Sequence, residues 1–360
     1  MYFYDFINLI KKAKHIIFFS ALILLLFSCE ENAIITEFGP SSIDYLSKNE
    51  TFIGDTITIF GVNFGDPSVN SFVVFDDTTI VPSSECLLWT ISKITLIVPN
   101  TTNDSLYVIT EIDTTEPIYI KINKIAPFET IKVNGGEFLM GSKDGFKDEQ
   151  PEHYVTISHT LFVGIYEVSQ LLYKQVMGVN PSTTKNNNLP VDSVEWSQAL
   201  EFCNRLSEIQ GLTPCYKFTG NNATWDTTAN GWRLPTEAEW EYLCRAGSKT
   251  DYSGSYSAEN LGWYNMNSGL QLHPSGLKQA NAFGLFDMHG NVWEWCWDWY
   301  GSDYYASSDK INPKGPITGL RRVARGGSYI DGNSYLRSSN RTYLEENLPY
   351  TGFRICREDK

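Results

Sequence analysis

The chain has 360 residues, of which 42% are hydrophobic and 19% charged, so it holds enough apolar material for two folded domains and too much for a disordered chain. Its 42 Asp and Glu residues outnumber 28 Lys and Arg residues, which gives a formal net charge of −14 at pH 7. Because such a field repels phosphate backbones, the composition argues against nucleic acid as a partner.

The N-terminus is typical of an exported protein. Lys11, Lys12 and Lys14 precede an apolar run over residues 16–27. This run is shorter than the roughly 20 residues that a membrane-spanning helix needs, although a short membrane anchor is the alternative. We therefore predict a signal peptide over residues 1–28.

Cys29 follows this segment directly. The sequence LFSC at residues 26–29 resembles a bacterial lipobox, which implies cleavage before Cys29 and acylation of its sulfur and new amino group. Two or three acyl chains anchor a protein stably to a membrane. Glu30 and Glu31 resemble the acidic export signal of surface lipoproteins in some Gram-negative bacteria. We expect a lipidated linker over residues 29–33 and a cell-envelope lipoprotein, at the outer membrane or cell surface, that contacts the membrane through its lipid.

The six remaining cysteines contain no C-x-x-C pair, so zinc ribbons and thioredoxin-type redox sites are excluded. Outside the cytoplasm an even number of cysteines can form three disulfides, but buried free thiols are an equal alternative. If one bridge forms, we favour Cys203 with Cys215, because they flank a short turn. The six are Cys86, Cys203, Cys215, Cys244, Cys296 and Cys356.

Residues 34–124 are predicted to form a β-sandwich. Polar and apolar residues alternate over residues 56–60 and in part of 93–98, and Gly, Pro and Asn separate these runs. The sequences FGPS (38–41) and GDTITIFGVNFG (54–65) resemble the TIG module, also called IPT. The resemblance implies an immunoglobulin-like sandwich that serves as a spacer or as a binding domain, and we favour the spacer.

The region after Pro127 is predicted to be α+β, with few helices between long Gly- and Asn-rich loops. Residues 169–177 form a short helix candidate that ends at Gly178, and residues 197–210 form a second one followed by Gly211. Thr236 and Glu239 form a capping box that starts a third helix.

Seven phrases occur in this region in one order. They are GGEFLMGS (135–142), LPVDSV (189–194), GWRLPTEAEWEY (231–242), NAFGLFDM (281–288), GNVWEW (290–295), RGGSY (325–329) and GFR (352–354). Together they closely resemble the formylglycine-generating enzyme (sulfatase-modifying factor) family over residues 129–357. The resemblance implies a mixed fold related to C-type lectins, low in regular secondary structure and often holding calcium.

The resemblance also bears on catalysis. Formylglycine-generating enzymes oxidise a substrate cysteine with copper held by two cysteines shortly after the Gly-Gly-Ser phrase, and thiolates suit Cu(I). Here Ser328 is retained, but Asp331 stands where the first cysteine would be, and no cysteine occurs between Cys296 and Cys356. We therefore expect no copper and assign no confident catalytic residue. An oxidase or other modifying enzyme with an altered centre is the alternative.

The resemblance further implies calcium. Glu294 matches a calcium ligand of the family, assisted by backbone carbonyls near Gly290 and Val292, and Asn260 matches a ligand of a second site. Carboxylate and carbonyl oxygens suit this hard cation.

The segment from 325 to 341 matches the rim of the family's active site. Aromatic and hydrogen-bonding side chains at a rim suit peptide or carbohydrate recognition, so we expect a peptide, a glycan or an envelope protein as the ligand. Internal ion pairs of Arg337 and Arg341 are the alternative. The candidate ligand-binding residues are Arg325, Tyr329, Asp331, Asn333, Tyr335, Arg337 and Asn340.

Three further patterns are interpreted as structural. The four tryptophans between residues 293 and 299 share one face of an extended strand, and core packing is expected. Glu237 and Glu241 lie one helical turn apart, as on a solvated helix face. His153 and His159 would share a strand face, where packing or surface roles are expected rather than a metal pair.

Overall fold

The computed structural model describes residues 39–76, 78–101, 104–220, 222–344 and 348–360. The predicted signal peptide, Cys29 and the predicted linker lie outside these residues. Within the described ranges no helix has the length and apolar character needed to cross a membrane.

Ten short strands in the described part of residues 42–123 form three sheets. Two are four-stranded, in the orders β1-β3-β7-β6 and β5-β4-β8-β9, and β2 pairs in parallel with β10. The strands are β1 (Ser42–Leu46), β2 (Glu50–Phe52), β3 (Thr56–Val62), β4 (Phe72–Val74), β5 (Ile80–Pro82), β6 (Leu88–Thr90), β7 (Lys93–Ile97), β8 (Ser105–Ile109), β9 (Ile118–Tyr119) and β10 (Lys121–Asn123).

Alternation of apolar residues explains this region, as predicted. Ile57 and Ile59 of β3 are fully buried while their neighbours reach the surface. They share one hydrophobic core with Leu96 of β7 and with Val73 and Val108 of the other four-stranded sheet. Both four-stranded sheets therefore contribute to a single apolar interior.

Hydrogen bonds connect this region to the rest of the chain. Gln175 accepts a hydrogen bond from the backbone of Ala126 at 2.7 Å and donates one to the carbonyl of Ile53 at 3.0 Å. Residues 41–360 consequently form one compact unit.

The remainder of the chain is also mostly β. A four-stranded sheet has the order β19-β18-β17-β20, with β20 parallel to β17, and a three-stranded sheet has the order β11-β14-β21. The other strands pair as β12 with β13 and β15 with β16. The strands are β11 (Thr130–Val133), β12 (Gly136–Met140), β13 (His153–Ile157), β14 (Leu161–Gly164), β15 (Tyr216–Thr219), β16 (Asn222–Trp225), β17 (Trp293–Trp299), β18 (Arg322–Arg325), β19 (Arg341–Tyr343), β20 (Thr351–Gly352) and β21 (Cys356–Glu358).

Three α-helices lie where the sequence predicts them. They are α1 (Gln170–Met177), α2 (Trp196–Ile209) and α3 (Glu237–Arg245). Ser169 caps α1, which ends at Gly178 in the left-handed conformation, and Thr236 and Glu239 form the expected capping box of α3. The cap residues thus set the helix boundaries.

The prediction of a solvated face for Glu237 and Glu241 is wrong. Both carboxylates are buried. Glu237 accepts two hydrogen bonds from Arg341, each at 2.7 Å, and Glu241 pairs with Arg245 and Arg325. Because Arg325 and Arg341 lie outside α3, the spacing of the two glutamates within the helix carries no sign of their burial.

The described cysteines are all free thiols, so the favoured Cys203–Cys215 bridge is absent. Both are buried, and burial raises the pKa of each thiol. The alternative of buried free thiols is the one that the structure has.

Candidate functional site

The turn after β18 is held closed by an aspartate. The carboxylate of Asp331 accepts hydrogen bonds from the hydroxyl of Ser328 and from its backbone N–H at 3.0 Å. The indole of Trp293, on β17, donates a third bond to the same carboxylate oxygen at 2.8 Å. Three donors therefore hold Asp331 in one orientation inside the turn.

The two glycines before Ser328 allow the tight turn. Gly326 and Gly327 have φ angles of 97° and 77°, which side chains disfavour. A Cβ atom on Gly327 would also lie 2.7 Å from a methyl group of Leu336. The Gly-Gly pair thus lets the chain turn against Leu336 and bring Ser328 to Asp331.

The donor set at this turn does not fit copper. Asp331 supplies a hard carboxylate oxygen, whereas Cu(I) prefers thiolates. The cysteines of this part of the chain are buried instead, and burial raises the pKa of Cys244 to about 12, so its thiol stays protonated. These residues do not provide the thiolate pair that copper-dependent oxidation of a cysteine requires.

Several of the predicted ligand-binding residues face the interior. Arg325 is fully buried and pairs with Glu241. Arg337 pairs through two nitrogens with the buried Glu149, at 2.7 and 2.6 Å. Asn340 is buried too and donates to the same glutamate at 3.3 Å. These buried contacts therefore fix the segment from 325 to 341 to the interior of the protein.

The remaining predicted residues lie at the surface beside a second loop. Asn333 and Tyr335 are exposed, and Tyr329 is half-buried. The backbone N–H of Asn265 donates to the carbonyl of Asp331 at 3.0 Å. The hydroxyl of Ser268 donates to the carbonyl of Tyr329 at 2.7 Å. We call the surface formed by residues 264–270 and 329–335 the lip.

The lip carries apolar side chains that sequence reasoning missed. Met266 and Leu270 are 80% and 61% exposed, and Ile330 is also exposed. Phe146 packs against Tyr335 with ring centroids 6.3 Å apart and extends the same surface. The signal in the sequence that could have revealed them is the presence of apolar residues in a Gly- and Asn-rich loop. An exposed loop of this kind needs no apolar side chains in order to be solvated.

The expected calcium ligand Glu294 is already occupied by other donors. Arg354 donates to its two oxygens at 2.8 and 2.7 Å, and the indole of Trp240 donates at 2.7 Å. The N–H of Gly290 donates to the carbonyl of Gly326, and that of Val292 donates to Glu167. Asn260 is exposed, and its carbonyl accepts a bond from the backbone N–H of Gln279.

Two further buried carboxylates lie near Glu294. Burial raises the pKa of Glu167 well above its usual value and that of Asp287 to about 6. One oxygen of Asp287 has no hydrogen-bond partner among the described residues. Three carboxyl groups, those of Glu167, Asp287 and Glu294, therefore interact with the single positive charge of Arg354. The unpartnered oxygen of Asp287 is a ligand of the kind that a hard cation prefers. The described residues nevertheless contain no group of three His, Cys, Asp or Glu side chains arranged to hold a metal.

The histidines do not form a metal pair. His159 binds Glu239 at 2.7 Å, while His153 packs against Tyr305. Sequence reasoning missed another pairing, in which the hydroxyl oxygen of Ser253 lies 2.7 Å from Nε2 of His289. His289 is buried, and burial lowers its pKa to about 4, so the ring is neutral at pH 7.

A mostly β fold with few helices and a Gly-Gly-Ser turn beside a tryptophan-rich strand defines a domain of the sulfatase-modifying factor type. Residues 121–359 match the family described as sulfatase-modifying factor enzyme 1-like domain. The match covers more than half of the chain, so the chain belongs to this family. The resemblance carried by the seven phrases is thereby confirmed.

Three similar proteins illustrate the range of the family. The chain is 35% identical over 237 residues to the chaperone protein LppX of Paenibacillus barcinonensis, covering 56% of this chain and 79% of that protein. It is 36% identical over 166 residues to the formylglycine-generating enzyme of Streptomyces coelicolor, covering 41% of this chain but only 52% of the enzyme. The solved structure of Treponema denticola variable protein 1 is 32% identical with a TM-score of 0.60, covering 64% of this chain and 95% of that one.

Proposed function

We propose that this protein is a cell-envelope lipoprotein whose sulfatase-modifying-factor domain binds a ligand on the lip and does not oxidise cysteine with copper. The observation that carries the proposal is Asp331. Its carboxylate, tied to Ser328 and Trp293, stands where the family resemblance puts the first copper cysteine. A domain that has replaced the metal ligand but kept an exposed rim is suited to recognition.

We propose an extended polypeptide of the cell envelope as the ligand. The exposed side chains of Met266, Leu270 and Ile330 offer apolar contacts, and Met adapts to varied partners. The lip also exposes Asn333 and Tyr335 for hydrogen bonds. The name of the relative LppX, a chaperone protein, is consistent with polypeptide binding.

Binding to reduced, carboxymethylated α-lactalbumin, an unfolded probe, tests this proposal. We expect the full-length protein to bind it and the double variant Met266→Ser, Leu270→Ser to bind roughly tenfold more weakly, because both apolar contacts are lost. Tyr154→Ser removes a similarly exposed side chain from β13 and is the matched control, expected to bind normally. Equal binding by the double variant would contradict the role of the lip.

We propose that the lipid on Cys29 attaches the protein to the membrane and that residues 34–124 form a TIG-like, immunoglobulin-like spacer between the linker 29–33 and the binding domain. The support is the lipobox-like sequence and the two four-stranded sheets over one core. Mass spectrometry of the mature N-terminus is the test. Acylated Cys29 as the first residue is expected, and an unprocessed N-terminus would contradict the proposal.

We also propose that calcium binds beside Glu294, with Asp287 and the carbonyls of Gly290 and Val292 as oxygen ligands. The support is the buried oxygen of Asp287 that has no hydrogen-bond partner among the described residues and lies near the carboxyl groups of Glu167 and Glu294. A bound calcium would supply positive charge there and stabilise the folded state. Chelation is expected to lower the melting temperature of the protein but not that of Asp287→Asn, and an equal effect on both would contradict this site.

A further inference from the structure

A cavity outside the lip has no role in the function proposed above. It has a volume of about 970 Å³ and lies beside the N-terminus of α2 and the strands β17 and β18. A second cavity of about 410 Å³ adjoins it, and both are lined by Ala223, Trp299 and Arg322. Cavities of this size hold small ligands in other proteins.

Arg322 is placed between two indoles. Its guanidinium carbon lies 3.6 Å from the ring centroid of Trp196 and 3.4 Å from that of Trp299. The two rings are 6.4 Å apart and nearly parallel. Both faces of the guanidinium are therefore covered, so it can bind further partners only through the hydrogen atoms at its edge.

Within the part of the chain that the structure describes, these edge donors make one hydrogen bond. Nη1 of Arg322 donates to the carbonyl of Trp297 at 2.6 Å. Nε is buried and has no hydrogen-bond partner among the described residues. Leaving a buried donor unpaired is unfavourable, which points to a partner that the protein itself does not provide.

Arg322 also differs from the other buried arginines in having no carboxylate partner among the described residues. Its burial lowers its pKa to about 9, because a charge without a counterion is disfavoured in apolar surroundings. In this acidic chain the remaining buried arginines are all paired. The pairs are Arg233 with Glu239, Arg245 with Glu241, Arg325 with Glu241, Arg341 with Glu237 and Arg354 with Glu294.

We propose that this cavity binds an acidic sugar whose carboxylate takes the open edge of Arg322. The aromatic side chains of Trp299 and Phe218 line the cavity and suit the flat apolar face of a sugar ring. Glu195 and Glu201 line it too. Glu201 already pairs with Arg205, but the oxygens that these two carboxylates keep free can accept hydrogen bonds from sugar hydroxyls, so a ligand that carries hydroxyls beside its carboxylate fits this lining better than a simple anion.

Titration of the full-length protein with trigalacturonate, followed by tryptophan fluorescence and calorimetry, tests the proposal. We expect saturable binding with a Kd between about 10 μM and 1 mM and roughly tenfold weaker binding of the neutral galactotriose, which lacks the carboxylates. Arg322→Gln should weaken trigalacturonate binding at least about tenfold. Arg357→Gln is the matched control, since Arg357 stacks on Phe162 and lines neither cavity, and it should bind like the wild type.

A second variant keeps the test decisive if Arg322→Gln fails to fold. Phe218→Ala changes an exposed residue of β15 and should weaken binding about threefold while leaving the melting temperature of the free protein unchanged. Equal affinity for trigalacturonate and galactotriose would overturn the role of Arg322. Preferred binding of N-acetylphenylalanine, a peptide-like carboxylate, would overturn the assignment to sugars.

Discussion

The two halves of the described chain stabilise their interiors in different ways. Between residues 41 and 123 the buried polar side chains are only Ser and Thr, and the core is formed by apolar residues such as Ile59 and Leu96. The second half buries charged side chains, among them Glu237, Arg341 and Arg354. Regular strands suffice for the first half, whereas the second half adds ion pairs between distant segments.

The reason lies in the irregular backbone of the second half. From residue 246 to residue 292 the chain has no helix or strand apart from one bridge between Tyr252 and Ser255. Such loops cannot satisfy their carbonyls within a sheet. Arg354 instead donates to the carbonyl of Phe286, within this stretch, while it pairs with Glu294. Buried arginines thus satisfy backbone groups that regular strands would satisfy elsewhere.

The largest effect on stability is expected when one buried charge is removed from the second half, and this tests the difference between the two halves most strongly. Glu237→Gln leaves the buried Arg341 without its bidentate partner and should lower the free energy of unfolding by about 3–5 kcal/mol in urea denaturation. Lys121→Gln breaks the exposed pair with Glu50 and serves as the control, with an expected loss far smaller than that of Glu237→Gln because solvent screens this pair. Similar losses in both variants would show that burial of the pair is unimportant.

Creating a cavity in the core of the first half should lower the free energy of unfolding by a comparable amount, for a different reason. Leu96→Ala removes fully buried methyl groups from the core and should cost about 2–5 kcal/mol. Because the lip does not contact this core, binding of the carboxymethylated α-lactalbumin probe should not change below the unfolding transition. Loss of probe binding in folded Leu96→Ala would mean that the two halves are coupled more tightly than their separate cores indicate.

The pH dependence sharpens the comparison, because His289 is buried without charge in the second half. Its pKa is lowered from 6.5 to about 4, so the unfolded chain takes up a proton first as the pH falls. The stability that the neutral ring of His289 contributes is present above pH 6.5, and about 2–3 kcal/mol of it should be lost between pH 6.5 and 4. Urea unfolding of His289→Gln across this range should lack that component, and an unchanged pH profile would contradict the assignment.

The smallest expected effect concerns the turn itself. Asp331→Asn keeps the shape of the side chain but replaces charge-assisted hydrogen bonds from Ser328 and Trp293, so it should lower stability by about 1 kcal/mol. Thermal unfolding followed by the near-ultraviolet circular dichroism of the aromatic residues is the measurement. A loss as large as that of Glu237→Gln would contradict this prediction and show that the turn contributes as much to stability as a buried ion pair.

The sequence predicted the local features well. Alternation in β3 and the capping residues of α1 and α3 act over a few positions, so the elements could be placed from the residues alone. The burial of Glu237 could not, because Arg341 lies 104 residues away. The unpaired state of Arg322 was invisible for the same reason, since only the folded chain brings Trp196 and Trp299 around it.

The candidate site divides in the same way. Asp331, which the family resemblance places at the position of the first copper cysteine, could be found from the Gly-Gly-Ser phrase alone. Whether Arg337 faces a ligand or Glu149 depends on packing, which the sequence does not show. The place of Met266 in the lip also depends on packing, because its loop is held there by contacts with the backbone of Asp331 and Tyr329.

Titration of the full-length protein with Cu(I) against a competing chelator, combined with an assay for oxidation of a cysteine-containing peptide, tests the central claim most directly. Since Asp331 supplies oxygen and the described thiols in this domain are buried, we predict no stoichiometric copper and no aldehyde product. One tightly bound copper per chain with turnover of the peptide would contradict the account and support the alternative that the protein is an oxidase.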